Sequence, residues 1–112
     1  MGSVAPFPPP AHQQTVFDRA ELSRIMNLYG RMVAAGHWRD YAIDMSRDVA
    51  IFSVFRRAAE RPEFRIEKRP SLRNRQGMWA LIAETGAVLR RGQELGPILA
   101  PVERRLMKLV DD

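Results

Sequence analysis

From Tyr41 to Phe55 the chain reads YAIDMSRDVAIFSVF, and this stretch decides the fold. Tyr41, Ile43 and Met45 alternate with Ala42, Asp44 and Ser46. A period of two sends successive side chains to opposite faces, so these residues predict a half-buried strand. Arg47-Asp48 predicts a tight turn. Val49 to Phe55 is apolar on both faces except at Ser53, which predicts a central strand covered on both sides.

Downstream, Arg56 to Glu63 contains Pro62 and reads as a loop. Phe64 to Lys68 predicts a third strand, with Phe64 and Ile66 on one face and Arg65 and Glu67 on the other; Pro70 ends it. Ser71 to Gly77 is polar and basic and predicts a loop or a single helical turn. Met78–Ala83 and Ala87–Arg90 flank Glu84-Thr85-Gly86, a hairpin with glycine at its tight position. After Gly92, residues Leu95, Ile98, Leu99, Val102, Leu106 and Leu109 make the apolar face of a last helix. Pro97 suits a first turn, whereas Pro101 predicts a kink or a restart.

Upstream, Asp18 and Glu21 form a capping box, with Phe17 placed to staple onto Leu22. Leu22, Ile25, Met26, Tyr29, Met32 and Val33 then fall on one helical face, and Gly36 is the natural stop. The order is helix, about 4–5 short antiparallel strands, helix. The expected fold class is therefore α+β: a meander sheet flanked by an N-terminal and a C-terminal helix. Residues 17–112 form a single domain, and the Pro-rich residues 1–16 are expected to be a disordered tail. If both helices lie on one face of the sheet, the other face of Val49–Phe55 needs a cover. A second copy of the chain, in a homodimer, is the simplest one.

The chain has 112 residues and a net charge of +5, from 18 basic and 13 acidic residues. From Arg56 to Arg75 seven arginines and Lys68 stand against Glu60, Glu63 and Glu67. That surplus of five equals the charge of the whole chain, so the remainder is neutral. A localised excess is a natural place to hold a polyanion. There are 16 Arg and only two Lys; GC-rich coding accounts for such a ratio, though not for the clustering. No apolar run approaches the ~20 residues that span a bilayer, and residues 1–15 lack the basic start and apolar stretch of a signal peptide. The expected location is cytoplasmic, with no membrane association. The absence of Cys excludes disulfides and thiolate metal sites.

No catalytic constellation is legible. His12 and His37 are far apart, and Asp40, Asp44 and Asp48 spread along an extended chain, so no metal site is expected. No G-x-S-x-G elbow and no phosphate-loop glycine pattern occurs. Glu63, Glu67 and Lys68 fall short of a nuclease pattern, because the adjacent Glu67 and Lys68 point to opposite strand faces. The expectation is a non-enzymatic binding or adaptor protein without a cofactor.

The candidate nucleic-acid or anion-binding residues are Arg56, Arg57, Arg65, Lys68, Arg69, Arg73 and Arg75. Contacts from them would position a phosphate backbone without reading its sequence. The same segment also suits an acidic protein partner, or a solvated edge that merely blunts strand pairing. His37 to Tyr41 (HWRDY) is a second candidate: Trp38, Arg39 and Tyr41 could form a recognition spot, or Trp38 and Tyr41 could cap the core. Trp38 and Trp79 are the candidate stacking planes for bases.

The order LYGRMVAAGHWRDYAID, AIFSVFRR, FRIEK, ETGAVLRRG resembles a small family of uncharacterised alphaproteobacterial proteins, a domain of unknown function. The resemblance covers about Phe17 to Leu109. It implies a bacterial, cytosolic, single-domain protein and assigns no site residue.

Overall fold

The computed structural model describes residues 14–57 and 61–111. The expected tail up to Gln13, and Glu60 of the basic segment, lie outside the described residues. Thr15 belongs to the folded part: its N–H donates to the Ser46 carbonyl at 2.8 Å and its hydroxyl to the Arg47 carbonyl at 2.9 Å.

Helix α1 (Arg19–Ala34) begins at the capping box. The Glu21 N–H donates to Asp18 Oδ1, and the Asp18 N–H donates to Glu21 Oε1, both at 2.8 Å. Two of the donors that a helix start leaves unpaired are thereby satisfied. Ile25, Leu28 and Met32 are buried. Leu28 replaces Val33 in the expected apolar face, since Val33 stays 40% exposed. Gly36 terminates the helix with φ +77°, a left-handed conformation that glycine adopts without strain.

Five strands follow: β1 (Asp40–Met45), β2 (Ala50–Phe55), β3 (Phe64–Lys68), β4 (Trp79–Ala83) and β5 (Val88–Gly92). They pair antiparallel in chain order, β1-β2-β3-β4-β5, as the short connections require. A single 3₁₀ turn, Pro70–Leu72, interrupts the β3–β4 loop, in the segment read as a loop or one helical turn. Gly86 has φ +93° in the last hairpin, and the β4–β5 register shifts between Leu81 and Ile82.

Alternation decides which side chains face the helices. Ala50, Phe52, Val54, Ile66, Trp79 and Leu81 form one core with α1 and with Leu95, Ile98, Leu99, Val102 and Leu106 of helix α2 (Leu95–Asp111). Tyr41 stacks on Phe52 at 5.1 Å between ring centres, and Tyr29 meets both edge-on, at 4.9 Å and 6.2 Å. Both helices therefore cover the same face of the sheet. The expectation that β2 is covered on both sides is corrected: Ile51, Ser53 and Phe55 are only half-buried, and no helix among the described residues lies over them.

The helix does not restart at Pro101: α2 runs from Leu95 to Asp111 with the proline inside it. Proline removes one intrahelical donor and leaves the carbonyl four residues back unpaired. That carbonyl belongs to Pro97 and has an external neighbour, Arg90 Nη1 of β5, at a long 3.5 Å. Val102 and Leu106 beyond the proline are buried, so core packing holds the helix across the defect.

Candidate functional site

The basic segment is divided by the topology of the sheet. β2 and β3 are antiparallel neighbours, so residues following β2 and residues following β3 emerge at opposite ends. Arg56 and Arg57 lie at one end. Lys68, Arg69, Arg73 and Arg75 lie at the other, about 15 Å away along a five-residue strand. Arg65 sits between them on the face without helices.

Carboxylates meet several of these cations. Arg56 Nε is 3.9 Å from Glu63 Oε2, Arg65 Nε is 4.0 Å from Glu67 Oε2, and Arg69 Nη2 is 3.7 Å from Glu67 Oε1. The Arg65 Nε atom is enclosed without a hydrogen-bond partner. Lys68 is held most tightly. Its ammonium lies 2.6 Å from Glu21 Oε1, donates to the Val16 carbonyl at 2.8 Å, and stands 5.7 Å from the Trp79 ring centre. Lys68 thus joins the start of α1 to the end of β3. Arg57, Arg73 and Arg75 make no ion pair among the described residues.

At the β3 end the fold forms a cleft of about 340 Å³, lined by Gln14, Thr15, Val16, Arg47, Lys68, Pro70 and Arg73. The β1–β2 turn supplies Arg47, which the sequence reading treated only as part of a turn. Arg47 is exposed and has no carboxylate partner among the described residues. The Arg47 carbonyl accepts the Thr15 hydroxyl, which fixes the backbone of the turn against the segment before α1. Arg73 follows the 3₁₀ turn and reaches back toward Met78 Sδ, 3.8 Å away. Two open guanidiniums and one committed ammonium line this cleft, a donor set that suits phosphate or carboxylate oxygens.

The opposite end is organised around one carboxylate. Glu63 Oε1 accepts the Trp38 indole N–H at 2.8 Å, and Arg105 Nη1 lies 3.1 Å from Oε2. His37 Nε2 is 3.3 Å from Oε1 without hydrogen-bond geometry. Burial lowers the His37 pKa; Glu63 opposes this and Arg105 and Arg56 add to it. From sequence, Glu63 counts as a subtraction from the charge of the segment and as one member of an incomplete nuclease pattern. It ties α2, β3 and the α1–β1 connection together.

The second sequence candidate resolves into different roles. Trp38 is 3% exposed and Trp79 2%, so neither presents a face for stacking. Arg39 is exposed, and Tyr41 is 43% exposed on β1. Burial raises the Tyr29 pKa, with smaller contributions from Asp40 and Tyr41.

Among the described residues, no group of three or more His, Cys, Asp or Glu is placed to hold a metal ion. No helix among them is long and apolar enough to cross a membrane. No curated protein and no solved structure matches the chain. A family model matches residues 15–99, beginning at Thr15 and running through all five strands into α2. By that match the chain belongs to the family described as "Protein of unknown function (DUF2794)".

Proposed function

We propose that the chain is a non-catalytic binding module that holds a phosphate-bearing polyanion, nucleic acid first, at the sheet end carrying Arg47, Arg69, Arg73 and Arg75. The observation that carries this reading is the cleft in which Arg47 and Arg73, 26 positions apart in sequence, line one surface with Lys68. Contacts of this kind go to the backbone of a nucleic acid and leave its bases unread. They also release counterions, which makes affinity fall as salt rises. With Lys68 committed to Glu21, the four arginines set the scale: roughly two to four phosphates neutralised. Fluorescence anisotropy with labelled single- and double-stranded DNA and RNA, at low and moderate salt, tests the reading. Binding that weakens steeply with salt supports it, and absence of salt-sensitive binding ends it.

A second reading is a homodimer formed through the sheet face that carries no helix. Supporting it are Ile51 and Phe55 on that face, half-buried with no helix over them among the described residues. Light scattering decides it: a strict monomer removes this reading and leaves the first intact.

A further inference from the structure

The two edges of the sheet are unlike. β5 is blunted in the ways that protect edge strands: its pairing is interrupted by a register shift, and it carries Arg90, Arg91 and Gly92. β1 has no register shift and no basic residue, and its charges are the carboxylates of Asp40 and Asp44. It is six residues long, pairs with β2 in unbroken register, and contains neither Pro, Gly, Lys nor Arg. All of its residues but Met45 are exposed.

The free side of β1 is also chemically defined. The Ser46 N–H donates to the Val49 carbonyl at 3.0 Å, which sets the phase of the ladder. Antiparallel pairing alternates, so Ala42 and Asp44 turn their backbone groups toward β2. Tyr41 and Ile43 turn theirs to the open edge. Their side chains share the helix-bearing face, where Tyr41 is 43% and Ile43 37% exposed. Tyr29 of α1 packs edge-on against Tyr41. Tyr29, Tyr41 and Ile43 make an apolar shelf beside N–H and C=O groups that have no partner among the described residues. The opposite face of β1 carries Asp40 and Asp44.

Charge selects the occupant. Asp40 and Asp44 place two carboxylates on one face of β1 with no ion-pair partner among the described residues, and an opposite charge directly across a strand pair stabilises it. We propose that β1 is a docking edge for an extended segment of another protein that alternates apolar residues with Lys or Arg. Its backbone would continue the ladder, its apolar side chains would rest on Tyr41 and Ile43, and its cations would face Asp40 and Asp44. This is strand addition, in which main-chain bonds give affinity and alternate side chains give specificity. The site is separate from the basic cleft and does not depend on it.

The test is NMR titration of the isotopically labelled full chain with a short blocked peptide alternating Val and Lys, and with its Val–Glu counterpart. The Val–Lys peptide is expected to shift the Tyr41 and Ile43 amides first and to bind about tenfold more tightly than Val–Glu. I43P removes an outward N–H that β2 does not use and is expected to abolish binding. The charge reversal D40K/D44K, which leaves every backbone bond in place, is expected to invert the peptide preference. Equal binding of the two peptides, shifts centred away from β1, or no shift at millimolar peptide would overturn the proposal.

Discussion

Lys68 Nζ and Glu21 Oε1 lie 2.6 Å apart, and the same oxygen accepts the Asp18 N–H that opens α1. One carboxylate therefore caps the helix and anchors the end of β3. Both side chains are largely withdrawn from solvent, so removing either leaves the other charge poorly compensated. K68A and E21A should each lower stability by about 1–3 kcal/mol, and the double variant should lose clearly less than the sum. Urea unfolding of the three variants measures this; strict additivity would show that the pair does not couple.

Gly77 is held against another backbone. A Cβ placed there would stand 2.7 Å from the Gly92 carbonyl carbon, and φ is +115°. G77A should therefore cost about 2 kcal/mol or more. Gly30 is the contrast, in mid-helix with nothing within 4 Å of an added Cβ. G30A should stabilise by about 0.5–1 kcal/mol, as alanine restricts the unfolded chain and favours helix. Thermal unfolding should move in opposite directions for the two.

His37 gives the fold an acid-sensitive element. Its pKa is lowered in the folded state, first by burial and then by the arginines that face it, against the opposing pull of Glu63. The unfolded chain therefore binds a proton more readily than the folded one below about pH 6.5. Stability is fully present above that pH and falls as pH drops through the folded pKa. H37Q should flatten this part of the stability–pH curve. An unchanged curve would show that His37 titrates alike in both states.

The order of elements was legible because local signals agreed. The Asp18–Glu21 capping box, the alternation through Tyr41–Met45 and the Glu84–Gly86 turn each name one structure. A restart at Pro101 was the wrong alternative because propensity ignores tertiary burial: Val102 and Leu106 are buried in the core beyond the proline. Val33 and Leu28 exchanged roles because an apolar stripe in sequence does not say which edge of the stripe meets the sheet.

Less of the candidate site was legible. Counting charge over Arg56–Arg75 ignores direction, and antiparallel strands send Arg57 and Arg73 to opposite ends. Arg47 joins Arg73 only through the pairing of β1, β2 and β3, which charge counting cannot reveal. Glu63 and Lys68 looked like surface charges; their contacts with Trp38 and Glu21 are long-range.

The most direct measurement compares charge reversal at the two ends of the sheet in one anisotropy assay with labelled nucleic acid at low salt. R47E/R73E should weaken binding by at least about tenfold and reduce its salt dependence, while R56E/R57E, with the same change in net charge, should leave binding nearly unchanged. Equal losses from both pairs, or no loss from R47E/R73E, would contradict a polyanion site at the Arg47–Arg73 cleft.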